Sequence, residues 1–255
     1  MLLQIIVATV IIGSVSLVGL VTFFSKALAT RYLIPLISLA AGSLLAVAFL
    51  DLLPEALDQT NTGFTSGQIM GVVLLSILSF FLLEKILHWH HCRCHDGQHQ
   101  HVQTNQHLIL FSLTGNGIHN IIDGFLVASA FMLNFPTGVA VTVAVVLHEI
   151  PHEISDFGIL LYGGLTKMQA LISNCAIAVL AVAGAVVFYF FAQQFTYVTP
   201  LMAAFAAGNF IYLAAADLIP ELHDEENSGQ VVIHTLWLLA GVVIIYIAQM
   251  FLPQA

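Results

Sequence analysis

Residues 138–163 read GVAVTVAVVLHEIPHEISDFGILLYG. A helix crosses the hydrocarbon core of a bilayer in about 20 apolar residues, and this stretch is long enough. Yet its second half carries His148, Glu149, His152, Glu153 and Asp156. Ionisable side chains are costly in hydrocarbon, so those placed there sit on an ion path or in a reaction centre. With His148 as zero and about 100° per residue, His152 falls at about 40°, Asp156 at about 80°, Glu149 at about 100° and Glu153 at about 140°. All five share one face, with Glu153, a further candidate metal ligand, at its edge. Pro151 lacks an N–H, so it frees a backbone carbonyl near Leu147.

A second stripe lies on the preceding apolar segment, 108–133. His119, Asn120 and Asp123, with Asn116 and Ser112, fall within about a third of the helix circumference. Two polar stripes on adjacent antiparallel helices face each other, because lipid is the alternative. Imidazole with carboxylate and amide oxygen suits zinc, iron or manganese. An all-oxygen set would have indicated calcium or magnesium. Asp123, Glu149 and His152 leave room to bridge two metals.

The rest of the chain agrees with a membrane setting. Of 255 residues, 59% are hydrophobic and 7% charged, against about 25% charged in soluble domains. Eight apolar windows are expected as transmembrane helices, at 2–24, 33–57, 67–87, 108–133, 138–163, 168–194, 198–221 and 230–252. Residues 1–255 read as a single all-α integral membrane domain. The first window is too long for a signal peptide and lacks its basic start. The five basic residues, Lys26, Arg31, Lys85, Arg93 and Lys167, all fall in or beside alternate connections. The positive-inside rule puts those connections in the cytoplasm and both termini outside it. A net charge of −9 suits cations and excludes nucleic acid as a partner. A plasma or inner membrane is expected, with an organelle membrane as the alternative. Homodimerisation stays open.

Ala41-Gly42-Ser43 leads to Asp51-Leu52-Leu53-Pro54-Glu55, and Ala207-Gly208-Asn209 leads at the same spacing to Asp217-Leu218-Ile219-Pro220-Glu221. The offset is 166 (217 − 51). The copies lie in spans two and seven, which run in opposite directions, and inverted repeats are the mark of alternating-access transporters. Asp51 and Glu55 then sit at an outer mouth, and Asp217 and Glu221, with His223, at an inner one. Between spans three and four, residues 88–107 hold His88, His90, His91, Cys92, Cys94, His95, His99, His101 and His107. Their spacing fits no zinc finger. A flexible cytoplasmic loop with weak, plural metal binding is expected. Cys92 and Cys94 are too close for an unstrained disulfide and fit metal binding in a reducing compartment.

His119-Asn120-x-x-Asp123-Gly124 resembles the fourth-span motif of the ZIP (Zrt/Irt-like) family, and His148-Glu149-x-Pro151-His152-Glu153 the fifth-span motif of its histidine-rich branch. The resemblance covers the whole chain and implies a transporter of divalent metal into the cytoplasm, not an enzyme. It implies eight helices in a 3+2+3 arrangement, the first and last three related by inversion. It also implies a binuclear site. His119, Asp123, His148 and His152 would serve one metal, and Asn120, Asp123, Glu149 and His152 the other, which Asn174 can complete. Ser155 departs from the branch, which usually has Gly there. The substrate is zinc first, with iron, manganese and cadmium open, and no organic cofactor is implied. The rival is an intramembrane metalloprotease, since His148-Glu149-x-x-His152 also matches the zinc hydrolase pattern. There Glu149 would activate water.

Overall fold

The structure, a computed structural model, describes residues 1–18, 26–58, 63–91, 106–195, 198–223 and 228–251. Eight helical rods follow one another, with no strand among the described residues. They are α1 (Leu2–Ser14, continued by a 3-10 turn Val15–Val18), α2 (Lys26–Val47, then Ala48–Leu52 and Leu53–Leu57), α3 (Ser66–His91) and α4 (Gln106–Leu133). After them come α5 (Phe135–Tyr162), α6 (Lys167–Gln194), α7 (Val198–Tyr212, then Leu213–Leu218 and Ile219–His223) and α8 (Ser228–Phe251). Each coincides with one expected span. The main differences are that α2 begins seven residues earlier and that the end of the first window lies outside the described residues. In addition α3 continues to His91 and α4 starts at Gln106, so His88, His90, His91 and His107 lie on helices and not in the expected flexible loop.

Among the described residues, five helices are long and apolar enough to cross a membrane: α2, α3, α6, α7 and α8. α4 and α5 match α6 in length at 28 residues each, and their polar stripes set them apart. Local chemistry fixes the turns around them. Asn134 caps α5 by accepting from the Thr137 N–H at 2.8 Å. Gly164, at φ 100°, turns the chain before α6. There Thr166 and Gln169 form a reciprocal capping box.

Both repeat copies widen into a π-helix at the same place, Ala48–Leu52 and Leu213–Leu218. The Leu53 N–H reaches back five residues to the Ala48 carbonyl, and the Ile219 N–H to the Ala214 carbonyl. Each segment precedes a proline, Pro54 or Pro220. Proline has no N–H to give and its ring crowds the carbonyl four residues back, and the wider turn relieves both.

The repeat extends to the neighbouring helices. A Cβ on Gly42 would stand 1.9 Å from the Leu238 carbonyl oxygen of α8, and one on Gly208 2.5 Å from that of Val73 on α3. A Cβ on Gly241 would meet the Leu39 carbonyl at 2.2 Å, while Ser76 donates to the Phe205 carbonyl at 2.6 Å. These contacts correspond at offsets of 166 for α2 and α7 (208 − 42, 205 − 39) and 165 for α3 and α8 (238 − 73, 241 − 76). At the far ends, Asp51 takes a hydrogen bond from Gln249, and Tyr212 donates to Glu84 in the cavity that Asp217 also lines. Glu84 and Gln249 are equivalent at the same offset, 165.

Packing sorts the rods into two sets. α4 lies on α5 and α6, and α1 on α5 and α6, while α2 lies on α7 and α8, and α3 on α7. The sets meet mainly where α2 touches α5 and α7 touches α4.

Candidate metal centre

The two polar stripes face each other. His119 and Asp123 come one turn apart on α4, and His148 and Glu149 adjacent on α5. Gly124 sets the depth of α4, since a Cβ there would stand 2.1 Å from the Ala181 carbonyl oxygen of α6. His119 Nε2 lies 3.3 Å from His148 Nε2, 3.5 Å from Asp123 Oδ2 and 3.6 Å from Glu149 Oε2. His148 Nε2 lies 3.4 Å from Asp123 Oδ2 and 3.8 Å from Glu149 Oε2. All four ligand atoms fall within 4.8 Å of one another.

These spacings match a coordination shell. Ligands 2.0–2.1 Å from a tetrahedral zinc stand about 3.3–3.4 Å apart. Asp123 and Glu149 are each 2% exposed, and both Asp123 oxygens and Glu149 Oε2 lack a hydrogen-bond partner. Buried carboxylate oxygens without partners are strongly disfavoured. Two ionised carboxylates carry the charge that one divalent cation neutralises. His148 Nδ1 lies 3.3 Å from the Ala144 carbonyl. A proton on Nδ1 serves that contact and leaves the Nε2 lone pair for a metal.

His152 stands outside this quartet. Its ring stacks on His119 with centroids 4.7 Å apart, and its Nδ1 lies 3.4 Å from Asp156 Oδ2. Asn120 donates to Asn116 Oδ1 at 2.6 Å. Glu153, fully buried, accepts from Ser16 on α1 and Asn174 on α6, each at 2.7 Å. Its carboxylate thus ties three helices together.

A cavity of about 870 Å³ opens from His119, His148 and His152. It runs toward the start of α4 and the ends of α3, α5 and α7, where Asp217 and Glu221 line it. Neither Asp51 nor Glu55 is among its described walls. Toward them lies an apolar core. Leu44, Val47, Leu126, Val127, Val141, Ala144, Val145 and Ala207 are each 0% exposed. The cavity also holds polar groups that the sequence did not mark as site residues, among them Glu84, Asn209 and Tyr212. Glu84 was visible only as a lone carboxylate beside Lys85. Cys92, Cys94, His95, His99 and His101 lie outside the described residues, as do the side chains of His88, His90, His91, His107 and His223.

The family model described as ZIP Zinc transporter matches residues 90–249. The chain is 31% identical over 170 residues to Zinc transporter ZIP10 of Mus musculus, covering 63% of this chain and 20% of that protein. It is 32% identical over 227 residues to Zinc transporter ZIP13 of Pongo abelii, covering 85% and 66%. To Zinc transporter ZIP6 of Homo sapiens it is 37% identical over 116 residues, covering 45% and 15%. The chain thus spans about a fifth of the ZIP10 protein it matches. Since the matched region is more than half of the chain and includes both polar helices, the protein belongs to the ZIP zinc transporter family.

Proposed function

We propose that this protein moves divalent metal, zinc first, across a membrane into the cytoplasm, with His119, Asp123, His148 and Glu149 as its first binding site. One observation carries the reading: four convergent ligands lie between a sealed apolar plug and an acidic cavity. This is a carrier caught open to one side. Iron, manganese and cadmium fit the same donor set.

The cavity opens toward the basic connections, those holding Lys26, Arg31, Lys85 and Lys167. With that side cytoplasmic, both termini lie outside, Asp51 and Glu55 face the source of metal, and Asp217, Glu221 and His223 receive it. The matched glycine contacts and π-turns support a 3+2+3 inverted repeat. The second metal of the family pattern falls to Asn120, Asp123, Glu149 and His152, with Asn174 released from Glu153. The two packed sets, α1, α4, α5, α6 against α2, α3, α7, α8, are the bodies whose relative movement alternates access. Residues 88–107 collect metal at the exit. Apolar side chains turned outward, such as Leu74, Val179 and Leu236, face lipid.

The protease reading loses ground. The four convergent ligand atoms do not include one from His152, and Glu149, which would activate water, stands among them.

Protein reconstituted in liposomes should pass zinc or cadmium down a gradient to an internal fluorescent indicator. Asp123→Asn and His148→Ala should each abolish the signal. A peptide cleaved in a Glu149-dependent way, without flux, would reverse the conclusion.

A further inference from the structure

Three buried polar groups beside the metal centre have no role in the four-ligand site. Asp156 Oδ2 on α5, Asn116 Nδ2 on α4 and Asn209 Nδ2 on α7 have no hydrogen-bond partner, in residues 9%, 4% and 3% exposed. All three line the cavity, as does His152.

The Asp156–His152 contact has a simple explanation: a carboxylate steadies an imidazole whose other nitrogen binds metal. Geometry and neighbours argue for more. His152 Nδ1 and Asp156 Oδ2 lie 3.4 Å apart, but neither makes a hydrogen bond. That separation is the edge of a metal's coordination shell, about 3.3–3.4 Å. Asn209 adds a second signal. A buried amide without a partner is disfavoured, and a turn about its last torsion exchanges nitrogen for oxygen at nearly the same place. Asn116 does not turn in this way, since its Oδ1 accepts from Asn120. Asn209 is also not demanded by helix packing. The equivalent position in the other repeat copy is Ser43, whose hydroxyl donates to its own helix at the Ala40 carbonyl, 2.8 Å away. The polar pocket is therefore built on one side of the molecule only.

We propose that Asp156 and His152, with the amide oxygen of Asn209, form a separate resting site for a partly hydrated divalent cation, between the four-ligand centre and the cavity mouth. The inference rests on the transport reading. Cavity water completes the shell. His152 faces His119 with one side of its ring and Asp156 with Nδ1, so it stands where an ion is handed from one site to the next. Asn209 belongs to the opposite helix set, so the site is complete only while the cavity is open.

Two measurements on the purified full-length protein test this. Zinc is titrated into the parent, Asp156→Asn and Asn209→Ser, the last taking the residue found at position 43. Each variant should lose one zinc per chain, or bind it at least about tenfold more weakly, while the tightest zinc keeps its affinity within about threefold. Crystals grown with cadmium should show anomalous density between Asp156 and His152. The site is refuted by unchanged zinc binding in Asn209→Ser. It is equally refuted if Asp156→Asn weakens only the tightest zinc, by the roughly 10–100-fold of a lost orienting partner, or if that density is missing. Should the parent bind no divalent cation at all, the transport reading itself falls, which is a different result.

Discussion

Asp123 and Glu149 bring two carboxylates into a space that only a cation makes comfortable, so the first consequences are for single side chains. Asp123→Asn removes one of two compensating charges and one ligand. Zinc affinity should fall beyond the roughly 10–100-fold typical of an outer-shell change, as read by calorimetry. Glu153→Gln is expected to behave differently. Ser16 and Asn174 both donate to that carboxylate, and an amide can accept at only one end. Facing donors should cost about 1–3 kcal/mol and lower the thermal midpoint, with zinc affinity held within about threefold. A Glu153→Gln protein of normal stability that has lost zinc binding would make Glu153 a ligand instead. Sequence alone placed Glu149, His152 and Glu153 on one face, because helical phase needs only spacing. It could not say which of Glu149 and His152 completes the quartet. That depends on how α5 is rotated against α4, and both residues lie inside the same polar arc.

The π-turns are where helices as units acquire behaviour. They put Asp51 and Asp217 on widened turns and offset each acidic end from the helix before it. Pro220→Ala restores an N–H and permits an ordinary turn, which moves Asp217 around the axis. Turnover in the liposome assay should drop several-fold while equilibrium zinc affinity stays. Unchanged turnover would mean that the π-turn carries no transport role. Gly42→Val would drive a side chain into the α8 backbone, where overpacking costs about 1–3 kcal/mol. A loss of stable protein on detergent gel filtration is expected. The repeated Asp-Leu-x-Pro-Glu showed both ends in sequence, and the eight helices were legible from hydropathy. The widening was not, since proline in a helix is compatible with a kink, a break or a π-turn. Glu84 and Tyr212 were missed because their partnership joins residues 128 positions apart.

For the whole molecule, the partition into two sets predicts which links are harmless. Gly13 on α1 and Ala178 on α6 belong to one set, and a Cβ on Gly13 would lie 3.6 Å from the Ala178 Cβ, within disulfide range. A Gly13→Cys/Ala178→Cys pair, with native cysteines replaced, should form a disulfide and leave flux intact. Cysteines linking α2 to α5 join different sets and should stop flux until reduced. Equal flux through both would end the two-body account. Glu84 and Gln249 occupy equivalent places in the two halves, and this inequality has a kinetic meaning. A symmetric carrier would show the same half-saturation from either face. Both mouths of the proposed carrier are acidic, but one has a carboxylate where the other has an amide, so the two faces should differ in how soon they fill. The gradient alone would decide the net direction, but metal accumulating beyond the Glu84 face should stall the cycle earlier than the same concentration beyond the Gln249 face.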